Sequence, residues 1–87
     1  MNIEEIKDVI KNTLKQVMEN QEVSIEDDDL FYEDLGVDSI AIVQVFLTCQ
    51  EKYDVVLADE LNLMEPVSVN ILAEIVERKY KEKEGCV

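Results

Sequence analysis

Histidine is absent from the 87 residues. With it go Ser-His triads, Cys-His pairs and most zinc sites, because each needs an imidazole as base or ligand. Cysteine occurs only at Cys49 and Cys86, too sparsely for a disulfide framework. Cys49 falls on the apolar face of a helical pattern and reads as a small core residue. Cys86 reads as an exposed free thiol, and neither has a neighbour that would activate it, so no chemistry is assigned to either. No apolar run is long enough to span a bilayer and no segment has the pattern of a secretory signal, so a cytoplasmic location is expected. Basic residues are scarce as well: 8 Lys and Arg stand against 21 Asp and Glu, a net charge of −13. That balance argues against nucleic acid and anionic membranes, and for partners with basic docking surfaces, while the lack of a spanning apolar run argues against stable membrane insertion.

What is present is enough apolar material, 47% of the chain, for one modest core and a small stability margin. The acids are not spread evenly. Residues 20–38 carry eight acids and no base, and residues 54–70 carry four acids and no base, which leaves the rest of the chain near neutrality. Both acidic segments read as connections, and they flank a central helical run.

Asn2 can cap a first helix, with Glu5 at the N3 position as an Asn version of the capping box. Ile3, Ile6, Ile10, Thr13, Leu14 and Val17 then recur at steps of three and four, with Glu4, Lys7, Asp8, Lys11 and Lys15 on the other side. From Asn20 the pattern breaks into a connection that is long for a compact helical domain. Val23, Ile25, Leu30, Phe31 and Leu35 are its apolar anchors, and Glu26-Asp27-Asp28-Asp29 reads as a solvated acidic turn. A calcium loop counted from Asp27 fails, since Tyr32 stands where glycine is needed and Asp38 where the bidentate glutamate belongs.

A second helix is predicted from about Ser39 to Tyr53. One stripe, Ile42, Val45, Phe46, Cys49 and Tyr53, is assigned to the core. A second stripe, Ile40, Val43, Gln44, Leu47 and Glu51, is either enclosed because the helix is central, or left open as a partner-docking patch. After Val55-Val56-Leu57-Ala58, the pair Asp59-Glu60 can open a short third helix through Met64. Leu57, Leu61 and Leu63 would pack inward or line an entrance for a bound chain. Pro66 marks a break, and Ser68 can cap a last helix with a core stripe of Val69, Leu72, Ala73, Val76 and Tyr80, bordered by Ile71 and Ile75. It is expected to end near Tyr80 or Lys81, giving a single domain over 1–81 and a polar tail over 82–87.

The centre of this pattern is Asp34-Leu35-Gly36-Val37-Asp38-Ser39-Ile40. Gly36 can supply a positive φ, and Asp38 and Ser39 are both good N-caps, so a tight turn delivers Ser39 to a helix mouth. Free N–H groups and the positive end of the helix dipole gather there, which suits a phosphate ester on the serine hydroxyl. Taken alone, Ser39 reads as an ordinary helix cap.

This motif, followed by a helix and a short acidic segment, resembles the acyl carrier proteins and the related peptidyl carrier domains over nearly the whole chain. The resemblance implies an all-α, acyl-carrier-like bundle of three main helices plus one short helix, a four-helix bundle. It implies covalent 4′-phosphopantetheine on Ser39, with Asp38 presenting the site. The cargo would be acyl or aminoacyl groups held as thioesters, for a fatty-acid, polyketide or related pathway. It further implies a non-enzymatic, monomeric carrier served by a phosphopantetheinyl transferase, an acyl- or aminoacyl-activating ligase and synthase or transferase enzymes. The length suits a free-standing carrier. One departure stands out: the family's fatty-acid branch displays several acids along this helix, whereas the matching places here include Ala41, Gln44, Gln50 and Lys52, leaving Glu51. That favours a dedicated pathway over housekeeping fatty-acid synthesis. Composition alone fits a non-covalent helical adaptor equally well, and a serine hydrolase lacks any candidate base.

Overall fold

Helices form here where an apolar stripe repeats every three to four residues. The computed structural model describes residues 2–20, 22–57, 59 and 66–85. The described residues make three helices, α1 (Ile3–Val17), α2 (Ser39–Tyr53) and α3 (Val69–Gly85). Among them the extended backbone pairs only as an isolated antiparallel bridge between Leu30 and Ser68, so the fold is all-α. The short helix expected over 59–64 lies, apart from Asp59, outside the described residues, as do Leu61, Leu63 and Cys86.

Each stripe assigned to the core faces inward. Ile6, Ile10, Thr13 and Leu14 of α1 are buried, with the Thr13 hydroxyl donating to the Val9 carbonyl at 2.8 Å and so removing its burial penalty. From α2 come Ile42, Val45, Phe46, Cys49 and Tyr53; from α3 come Val69, Leu72, Ala73 and Val76. Ile25, Phe31, Val37, Val55 and Leu57 close the core from the connections. Leu57 is fully buried, which settles it as a core residue.

Two helix ends differ from expectation. Asn2 caps α1 by accepting from the Glu4 N–H at 2.9 Å, so its oxygen serves the second helical N–H and no reciprocal box with Glu5 forms among the described residues. α3 runs to Gly85, past Lys81. Its last turns have a partner that apolar spacing does not reveal: the Lys83 ammonium lies 5.8 Å over the Tyr80 ring and 3.0 Å from the Asp54 carboxylate, while Tyr80, on the expected core stripe, is half-buried and meets Tyr53 edge to face at 6.4 Å.

The long connection is not a merely solvated acidic turn. Asp27 receives Lys11 at 2.6 Å and Lys7 at 3.3 Å from α1, while its carbonyl accepts the Asn70 N–H at the start of α3. Asp28 takes the Asn70 side-chain amide at 2.6 Å, and Asp29 accepts the Glu26 N–H at 3.0 Å. The Lys11 ammonium chiefly holds the adjacent Asp27 carboxyl below the usual carboxylate range. Its contribution to stability is therefore complete at neutral pH and is lost as pH falls through that lowered value.

Phe46 is 2% exposed at the middle of α2. Phe46→Ala is expected to cost about 3–5 kcal/mol in urea unfolding, a large share of what so small a domain has. A loss under about 1 kcal/mol would place the ring outside the packed core.

Candidate functional site

The turn that precedes α2 is built outward from Phe31. Its side chain is fully buried, its N–H donates to the Val67 carbonyl at 2.7 Å, and its carbonyl accepts the Val37 N–H at 2.8 Å. Val37, 3% exposed, is the second foot of this turn. Between the two feet the chain makes a short excursion closed by Asp34 N–H and Leu35 N–H on the Leu30 carbonyl and by Gly36 N–H on the Tyr32 carbonyl. Gly36 has φ +71°, and a Cβ there would meet nothing within 4 Å. The backbone conformation alone, rather than any lack of space, asks for glycine.

Asp38 then caps α2, its Oδ1 accepting the Ala41 N–H at 2.8 Å and its carbonyl accepting the Ile42 N–H at 3.0 Å. Of the two cap candidates Asp38 is thus the cap, and Ser39 is the first helical residue. Ser39 is exposed. Among the described residues neither the Ser39 nor the Ile40 N–H meets an acceptor, so two donors stand free at the positive end of α2. An open hydroxyl beside two unclaimed N–H groups can accommodate a phosphodiester. Opposing this, Glu33, Asp34 and Asp38 are all exposed nearby in the chain and have no ion-pair partner among the described residues. Glu33 and Asp34 are open to solvent, which screens them, while the Asp38 carboxylate is already engaged by the Ala41 N–H of the same mouth.

The second stripe of α2 is open. Ile40 is 74% exposed and Leu47 46%, with Val43 half-buried and Gln44 and Glu51 exposed, so α2 is not enclosed on all sides. Gln50, read from the sequence as a place where family relatives display charge, faces elsewhere: its Oε1 accepts the Leu57 N–H at 3.0 Å and so fastens the chain leaving α2. Val37 and Gln50 are the two residues that sequence reasoning missed. Val37 sits inside a motif read as turn, and nothing in the sequence links Gln50 to Leu57. Cys49 is buried, and that burial pushes its thiol up to about 11, so it is protonated and unreactive at neutral pH.

A family model described as a phosphopantetheine attachment site matches residues 5–77. No solved structure matches the chain significantly. The matched span contains all of α2, the turn before it and most of α1 and α3.

Because Asp38 rather than Ser39 satisfies the helix end, the two serve different ends energetically. Asp38→Ala is expected to cost about 1 kcal/mol, within the usual range for a lost cap, whereas Ser39→Ala should change stability by less than about 0.5 kcal/mol. Urea melts of the two variants beside the parent chain check this; equal losses would make Ser39 a structural serine.

Proposed function

We propose that this chain, which belongs to the phosphopantetheine-attachment family of carrier domains, bears its prosthetic arm on Ser39 and shuttles acyl or aminoacyl groups for a fatty-acid, polyketide or related pathway. Family members are carriers and not catalysts, and their cofactor is covalently bound 4′-phosphopantetheine. When attached, that group supplies a thiol on which cargo is held as a thioester. The observation that carries the assignment to Ser39 is its exposure at the first position of α2 beside free N–H donors, with the adjacent cap taken by Asp38. The hydroxyl is available because the helix does not use it.

In this reading Asp38 presents the site and the four-helix, acyl-carrier-like bundle includes a short helix before α3. The open stripe of Ile40, Val43, Gln44, Leu47 and Glu51 receives the phosphopantetheinyl transferase, the activating ligase and the synthases in turn. Its chemistry supports an apolar contact, since the charged residues of α2 are confined to Glu51 and Lys52 near its end. Among the described residues no helix is long and apolar enough to cross a membrane, which fits the proposed cytoplasmic setting. Family membership also separates the carrier from a non-covalent adaptor, which the open stripe alone would suit.

Incubation with coenzyme A and a broad-range phosphopantetheinyl transferase should add the mass of one phosphopantetheine to the intact protein, and Ser39→Ala should abolish the gain. A gain that persists in Ser39→Ala would move the attachment elsewhere, and no gain in the parent chain would remove the assignment.

The docking face makes a separate expectation. Affinity for a cognate synthase or ligase should fall less than about tenfold between low and high salt, because an apolar contact is little screened. A steep loss across the same series would show a charge-driven dock.

A further inference from the structure

Residues 30 and 34 hold each other by two hydrogen bonds in opposite directions. The Asp34 N–H donates to the Leu30 carbonyl at 3.0 Å, and the Asp34 Oδ2 accepts the Leu30 N–H at 2.8 Å. Leu30 is also the residue that bridges to Ser68, the cap of α3, whose Oγ accepts the Ile71 N–H at 3.2 Å. The excursion that leads into Ser39 is thereby clamped at its root to the entrance of α3. Without the Asp34 carboxylate the Leu30 N–H would turn to water, leaving residues 31–36 held by backbone bonds alone. Asp34 lies five positions before Ser39 and does not reach it, so any effect on Ser39 passes through this turn.

We propose that Asp34 is a positioning residue for the loading of Ser39: as a hydrogen-bond acceptor for Leu30 it holds the turn in the shape the transferase reads. This rests on Ser39 being the attachment point. In loading, the Ser39 hydroxyl gives its proton to a base of the transferase and its Oγ forms a bond to phosphorus. The pyrophosphate bond of coenzyme A breaks, and adenosine 3′,5′-bisphosphate leaves. The chain's contribution is to offer Oγ in an ordered turn. A loosened turn must be ordered on binding, so the loss falls on KM and leaves kcat nearly unchanged.

The test is the steady-state loading of the full chain by a phosphopantetheinyl transferase with coenzyme A, read by intact mass, for the parent, Asp34→Ala, Asp34→Asn and Asp34→Glu. Asp34→Ala should raise KM about threefold to tenfold, the scale of one lost hydrogen bond, at unchanged kcat. Asp34→Asn keeps an acceptor of the same reach without the charge and should load within about twofold of the parent. Asp34→Glu keeps the charge but displaces the acceptor, and should fall between the two. An Asp34→Asn that loads as poorly as Asp34→Ala overturns the proposal in favour of charge recognition, and an Asp34→Ala that loads like the parent overturns it outright. Thermal melts accompany the series, and should Asp34→Ala prove unfolded, the order of Asn against Glu decides. A parent chain that does not load at all instead rejects the reading of Ser39, and the two failures are told apart by that control.

Discussion

Everything at the head of α2 inherits its position from the way Phe31 is held. Burying a phenylalanine side chain contributes about 2–3 kcal/mol, and each of its backbone hydrogen bonds adds about 1 kcal/mol by not leaving a polar group unpaired in the core. Phe31 is fully buried, while its N–H goes to Val67 and its carbonyl receives Val37. One residue thus fastens the long connection to the approach of α3 and sets where the chain enters α2. The exposed site is a surface feature with a core address: Asp38 and Ser39 follow directly on Val37, whose buried side chain leaves them little freedom to wander.

The acidic connections need their own explanation, since a chain at −13 works against its own compactness. Bases on the two outer helices are spent on them. Lys7 and Lys11 of α1 turn to Asp27, while on α3 Lys79 reaches Asp59 and Lys83 reaches Asp54, both at 3.0 Å. Exposed pairs of this kind are worth little singly, commonly under about 1 kcal/mol. Their value here lies in placement, because each ties a connection to a helix rather than one helix surface to itself. Asp27 is the extreme case, with one carboxylate oxygen buried and answered by the Lys11 ammonium at 2.6 Å.

Periodicity made α1, α2 and α3 legible because a buried face repeats with the helix, and the assigned stripes are the buried ones. It also exposed a real ambiguity in α2, where two stripes share the helical period. Side-chain volume resolves it: Phe46 and Tyr53 sit on one stripe, and a core of this size has room for that one. The connection over 20–38 was legible only as a set of apolar anchors. Its polar partners join residues far apart in sequence, as Asp27 joins Lys7 and Asn70, and no local pattern encodes such a pair. Lys7 and Lys11 look like solvated residues on a polar face until the loop is laid across them. At the site, the turn, the cap and the exposed serine were readable from Asp34 to Ser39, because turn and cap chemistry is local. Which of Asp38 and Ser39 would cap was not, since both side chains can reach the same N–H groups.

The division between the acidic turn and the neutral helix has a consequence for how partners are met. Among the described residues Glu33, Asp34 and Asp38 keep their charge unpaired beside Ser39, whereas the face proposed for docking presents Ile40, Val43 and Leu47. Charge acts over about a Debye length, near 8–10 Å in physiological salt, and raises the rate of encounter; apolar contact acts only on touching and lengthens the stay. A partner with a few cations around an apolar centre would be turned toward the serine before contact and then retained by the stripe. On the proposed docking the two tasks fall on different residues, so changing Ile40 or Leu47 would retune which enzyme stays bound while leaving untouched the turn that presents Ser39.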